Sequence, residues 1–181
     1  MKKLNLILII AIGIFMFSCK SAPTTDEALK CNKFIMNCTS DIDNSYSTFK
    51  DAWNEYDIDT YDADAFEVLK TDLQSVQEKV KSSLITVKDN KEYEGIKDFT
   101  DYNEIAVDYY KTIGSMCDNE YTEIIALIGK GDDFTSEDRV KCFANDSIIS
   151  EKHKKACDTF IKFQEDFAKK YNFGLEDKSN K

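Results

Sequence analysis

Apolar side chains recur three and four residues apart in four long blocks, and this spacing constrains the fold more than any other feature of the chain. A stripe with a 3.6-residue period covers one face of an α-helix and matches no face of a strand. The first block runs from about Asp26 to Tyr56, with Ala28, Cys31, Ile35, Cys38, Ile42, Phe49, Trp53 and Tyr56 in step. The second runs from about Asp64 to Val87 through Phe66, Leu69, Leu73, Val76, Val80 and Leu84. The third, from about Ile96 to Ile128, carries Phe99, Tyr102, Ala106, Tyr109, Ile113, Met116 and Ile124. The fourth reaches about Tyr171, with Val140, Phe143, Ala144, Ile148, Cys157, Phe160, Ile161, Gln164, Phe167 and Ala168 as core candidates.

The connectors are short and polar. Asp62 or Asp64 is expected to cap the second helix, Gly129 and Gly131 to supply left-handed geometry after the third, and Thr135-Ser-Glu-Asp138 to cap the fourth. One proline and six glycines among 181 residues leave few turn formers for a β-sandwich. The expected fold is therefore all-α, an antiparallel up-down-up-down four-helix bundle over residues 26–173, with a charged, disordered tail at 174–181.

The N-terminus obeys a different logic. Lys2 and Lys3 precede an apolar run from Leu6 to Phe17, followed by Ser18 and Cys19. A basic start, a short apolar stretch and a small residue before the cut are the marks of a secretion signal, here residues 1–18. At ~1.5 Å per residue the run spans about 18 Å, short of the ~30 Å hydrocarbon core. Met16-Phe17-Ser18-Cys19 resembles a lipobox, which predicts diacylglycerol on the Cys19 thiol and added palmitate-type acylation, with residues 19–25 as lipidated cysteine and tether. Two or more acyl chains give stable anchoring. The expected location is the cell envelope, with the outer membrane favoured because Lys20-Ser21 lacks the aspartate that retains lipoproteins at the inner membrane of enteric bacteria.

Removing residues 1–18 takes away two lysines and no acids, leaving 22 basic and 34 acidic residues and a net charge of −12. Nucleic acid needs basic patches and is not expected as a partner. Cys31, Cys38, Cys117, Cys142 and Cys157 remain, an odd number. Cys31 and Cys38 lie about 10 Å apart along one helix, too far for a bridge, so any disulfide must join different helices. Cys38 and Cys157 are the first candidates, and Cys117 could equally approach Cys38. Alternatively, all five thiols are small buried apolar groups.

No residue pattern points to catalysis. His153, the single histidine, sits among lysines and reads as a surface residue. A di-iron bundle needs Glu-x-x-His on facing helices, but Ser150 stands three before His153. Asp57, Asp59, Asp62 and Asp64 alternate, yet an EF-hand would need an oxygen ligand at Tyr61 and glycine at Asp62, so the segment reads as a capping loop. Asp132, Asp133, Glu137 and Asp138 crowd the third turn without a recognisable ligand set. No metal and no cofactor are expected. Phe49, Trp53, Tyr56, Tyr109 and Tyr110 are the candidates for lining an apolar pocket, with core packing as the competing use of those rings.

Phe163-Gln-Glu-Asp-Phe-Ala-Lys-Lys-Tyr-Asn-Phe173 resembles the C-terminal signature of a family of small helical surface lipoproteins of spirochaetes and Bacteroidetes. The lipid-type signal, the acidic start of the second helix and Glu120-Tyr-Thr-Glu-Ile-Ile125 extend the resemblance over nearly the whole mature chain. It implies display on the surface or envelope, and carries over no enzyme activity and no functional residues. The leading expectation is a non-enzymatic interaction or structural module with an unknown protein partner. The alternative is a carrier holding a small apolar ligand among the bundle aromatics, and a third class is a hydrolase or redox protein using a cysteine.

Overall fold

Thr24 starts the first helix by a reciprocal exchange. Its hydroxyl accepts from the Glu27 N–H at 3.2 Å, and the Glu27 carboxylate accepts from the Thr24 N–H at 2.8 Å. These bonds satisfy backbone donors that a helix start leaves free. The computed structural model describes residues 23–92 and 96–175. The signal segment 1–18, Cys19, tether residues 20–22 and tail residues 176–181 lie outside the described residues. The described chain is all-helical: α1 (Thr25–Glu55), α2 (Ala63–Asp89), α3 (Lys97–Met116), a π-helical turn (Cys117–Tyr121), α4 (Thr122–Ile128) and α5 (Ser136–Lys170). The segments α3, π turn and α4 follow one another directly, so the described residues form four long rods, with ends close to those the sequence predicts.

Cross-contacts fix the register of each pair. Between α1 and α2, the Ser83 hydroxyl donates to the Cys38 carbonyl at 3.2 Å. Between α2 and the third rod, Gln77 donates to Asp118 at 2.9 Å. Further along, Phe66 lies so close to Gly129 that a Cβ there would sit 2.9 Å from its ring. Between the third rod and α5, Phe99 meets Phe167 and Tyr171, Tyr109 meets Phe160, and Glu120 meets Lys152. In both of the last two interfaces residue numbers rise on one helix as they fall on the other.

The expected stripes of α1, α2 and the third rod face inward. Ala28, Ile35, Ile42 and Phe49 are fully buried, as are Val76, Phe99, Tyr102, Ala106, Met116 and Ile124. Trp53, Tyr56, Phe66 and Leu84 pack at the margin of this core. The core also takes in Asn32, Thr39, Tyr46, Ser83, Tyr110 and Tyr121, which the apolar stripes do not include. In the π turn the inward position passes to Tyr121, and Glu120 stays at the margin where Lys152 pairs with it.

The first half of α5 departs from expectation. Val140, Phe143 and Ile148 are 67%, 59% and 44% exposed, and Ala144 is exposed too. Asp138, Cys142 and Ile149 are buried in their place. The physical cause lies at the helix start. Asp138 closes a capping box with Thr135 and receives Lys130 Nζ at 2.7 Å, which turns position 138 inward. Further along, Asp146 receives both Lys50 Nζ and Trp53 Nε1 from α1. Ile161 is also exposed, while Phe160, Phe167 and Ala168 are buried as expected.

The turns correct one further expectation. Gly131 alone takes the left-handed backbone, at φ 57°, whereas Gly129 keeps right-handed geometry and is small because of Phe66. At the far end Asn172 is left-handed at φ 55°, and the Phe173 N–H returns to the Ala168 carbonyl at 3.1 Å. That is a Schellman ending, completed by the contact of Phe173 with Phe167.

The α5 register is testable on adjacent isoleucines. Ile149→Ala should cost about 2–5 kcal/mol through loss of buried contacts and the cavity left behind. Ile148→Ala should change stability by less than about 0.5 kcal/mol. Urea unfolding of the two variants in dilute solution, with equal slopes, checks the contrast.

Candidate functional site

The groups that could perform chemistry converge at the middle of α1, α3 and α5. Tyr109 donates its hydroxyl to Asp43 Oδ1 at 2.8 Å. The Cys157 thiol lies 3.9 Å from that hydroxyl and 3.4 Å from His153 Nε2. The His153 ring in turn packs on Tyr46, with centroids 4.9 Å apart. Tyr46 and Tyr121 share a hydrogen bond at 3.0 Å between their hydroxyls, and Phe49 meets Tyr121 edge-on. His153 is therefore half-buried rather than a solvated surface residue. It belongs to the inward series Cys142, Ile149, His153, Cys157, Phe160, which runs one helical face away from the flanking lysines.

Electrostatics decide what this cluster can do. Burial lowers the His153 pKa, with Asp43 opposing and Lys50 reinforcing the shift. Burial raises the Cys157 thiol, which the Tyr109 hydroxyl partly offsets. A nucleophilic cysteine needs the opposite pair of shifts, toward thiolate and imidazolium. Here thiol and imidazole are both held neutral. The same burial raises the tyrosines: Tyr46 to about 12, and Tyr109 and Tyr121 further still.

All five described cysteines are free thiols. The expected Cys38–Cys157 bridge is not formed, because the two residues serve different interfaces. Cys38 lies where α2 crosses α1 and its carbonyl receives Ser83, whereas Cys157 points to His153 and Tyr109. The alternative reading, small buried groups, fits Cys31 and Cys117, whose thiols burial pushes up to about 12.

The five aromatics proposed as pocket lining are taken up largely by packing and hydrogen bonds. Phe49 and Tyr110 are fully buried and Tyr109 is 6% exposed. Tyr109 stacks on Phe160 at 5.2 Å. Tyr110 donates to the Ile35 carbonyl at 3.1 Å and shares a bond with Thr39. Trp53 is held by Asp146. Tyr56 lines a cavity of about 260 Å³ together with Tyr61, Phe134, Asp132 and Arg139 at the turns between rods. A larger groove of about 520 Å³ lies between the end of α2 and the start of α3. Its walls mix polar side chains (Lys88, Asn90, Lys91, Asn103, Glu104, Lys111) with Val87 and Val107.

The acidic turns serve the fold. Asp62 caps α2 by accepting from the Asp64 and Ala65 N–H groups, Asp57 accepts from the Asp59 N–H, and Asp59 pairs with Arg139. Lys130 and Thr135 hold the Asp138 carboxyl down to about 2. Among the described residues no three His, Cys, Asp or Glu side chains come together as a metal site, and no helix is long and apolar enough to cross a membrane. No family model matches the chain, and no curated protein or solved structure matches it.

Two outcomes follow. An imidazole whose pKa falls on folding stabilises the fold fully above its ordinary 6.5, and that stability drains away as pH drops below 6.5 toward the lowered value. The urea midpoint should therefore decline between about pH 7 and pH 5.5, with a shallower decline in His153→Gln, which has no proton to gain. Tyr109→Phe should cost about 2 kcal/mol at neutral pH, the loss of one part-buried hydroxyl bond to the Asp43 carboxylate.

Proposed function

We propose that this chain is a lipid-anchored protein of the cell envelope, held by acyl chains on Cys19, whose helical domain acts as a non-enzymatic interaction or structural module. The four rods are read as an up-down-up-down antiparallel bundle, a reading supported by the opposite numbering of the Gln77–Asp118, Phe66–Gly129 and Phe99–Phe167 contacts. The anchor is supported by Lys2, Lys3, the apolar run Leu6–Phe17 and the Ser18-Cys19 junction. The outer membrane, facing the surface or the periplasm, remains the proposed site, as the resemblance to surface lipoproteins implies.

One observation carries the choice of an interaction module over a carrier or an enzyme. The hydroxyls and amides that link the helices inside the core are satisfied by one another. Asn32 accepts from Tyr102 at 2.8 Å and from Gln164 at 3.1 Å, Thr39 pairs with Tyr110, and Tyr46 pairs with Tyr121. Rings and hydroxyls bonded in this way are not waiting for a ligand. Recognition is then left to the outer surface, where the excess of acids favours a basic partner and steers its approach.

Growth with labelled palmitate tests the anchor. The wild-type chain should take up label and partition with membranes. Cys19→Ser should lose both, while its far-UV circular dichroism stays that of the wild type. Unchanged labelling in Cys19→Ser would overturn the proposal. Protease treatment of intact cells, with a periplasmic protein as leakage control, then separates surface display (loss) from periplasmic placement (protection).

A further inference from the structure

Val140, Ala144 and Ile148 follow one another at four-residue spacing as one exposed stripe of α5, with Phe143 beside Val140. An apolar cluster of this kind on an otherwise charged surface marks an interaction site. What flanks it identifies the occupant. Glu137, Lys141, Ala144, Ile148, Glu151 and Lys155 are all exposed, and their spacing alternates four and three, the spacing of a seam between two paired helices.

We propose that this face of α5 pairs antiparallel with the same face of a second copy of the chain. Place a two-fold axis at the level of residue 146. Each Ala144 then meets the partner's Ile148, each Lys141 meets the partner's Glu151, and each Glu137 meets the partner's Lys155. All four charge pairs of the symmetric contact are attractive, and the two apolar pairs sit between them. The face is thus its own complement, as an isologous interface requires. Val140 borders the seam on one side, and Phe143 lies further round the helix. The balance matters in a chain of formal charge −10, because self-approach is opposed over most of the surface. On these six positions there are two acids and two bases, so that repulsion is locally absent.

Within one chain Lys141 already touches Glu137 at 3.1 Å, but both ends are open to solvent, with side chains 50% and 79% exposed. Such a pair is worth little alone and is free to share Lys141 with the partner's Glu151. The seam from 137 to 155 is about 27 Å long. One helix face of that length buries less than the roughly 800 Å² per partner of a standard interface, so the association is weak and reversible.

Sedimentation equilibrium of the full chain in density-matched detergent tests the pairing. The wild type should show a reversible monomer–dimer equilibrium. Lys141→Glu sets a second carboxylate against the partner's Glu151 twice per dimer, and Glu151→Lys sets two ammonium groups against each other twice, so each should weaken dimerisation about tenfold. The double variant Lys141→Glu/Glu151→Lys should recover most of the loss, because the attraction returns with its signs exchanged. Val140→Ser/Ile148→Ser should abolish the dimer. These side chains are exposed in the single chain, so thermal melts of the variants in dilute solution serve as the folding control. A wild type monomeric at every concentration overturns the proposal, as does full dimerisation by Lys141→Glu. A double variant no better than either single variant overturns the antiparallel register.

Discussion

Tyrosine hydroxyls buried between helices set the terms for the rest of this structure. A phenol deep in a core is tolerated only when its hydroxyl finds a partner, since an unpaired one costs about 1–3 kcal/mol. Tyr102, Tyr110 and Tyr121 on the third rod are fully buried. Each reaches a polar group on α1: Asn32, Thr39 with the Ile35 carbonyl, and Tyr46. Sliding α1 along the third rod by one turn would break all three at once. Apolar packing alone would permit such a slip at modest cost, because one leucine-sized group resembles another. The hydroxyl pairs make one register far better than its neighbours, which is the use of buried polar groups in specifying a unique core.

Beside these pairings lies a thiol–imidazole contact of the core. His153 and Cys157 stand within hydrogen-bonding distance, the arrangement from which a nucleophile could be built. Burial pushes the two groups away from the charged forms that nucleophilic attack needs. The aromatics that could have walled a ligand pocket are in contact with one another across α3 and α5, from Tyr109 on Phe160 to Phe99 on Phe167. On the outside, α5 turns a stripe of Val140, Ala144 and Ile148 to solvent between acids and bases in equal number.

Much of this was legible in the sequence. The stripes of α1, α2 and the third rod were readable because their inward residues are apolar at helical spacing, and the ends were marked by Thr135, Asp62 and the polar turns. Asn32, Thr39 and Tyr46 escaped that reading because a polar residue on a core face looks like an interruption until its partner on another helix is known. The first half of α5 misled for a different reason. Val140, Phe143, Ala144 and Ile148 have the right spacing for a buried stripe and lie on the wrong side. A signal for the true face was present: counting back from Phe167 and Phe160 in threes and fours gives Cys157, His153, Ile149, Asp146 and Cys142. Hydrophobicity pointed to one face and periodicity to the other, and the ion pair of Asp138 with Lys130 settled the choice in three dimensions. The five candidate pocket residues were correctly placed near the core, but no local pattern reveals whether neighbouring rings leave space between them.

The central claim is that the tyrosine pairs lock α1 to the third rod, and native-state hydrogen exchange tests it most directly. Amides of residues 32–46 and 102–121 should be the last to exchange and should do so only through global unfolding, the π turn included. Faster exchange there than in α2, through a local opening at Cys117–Tyr121, would contradict it.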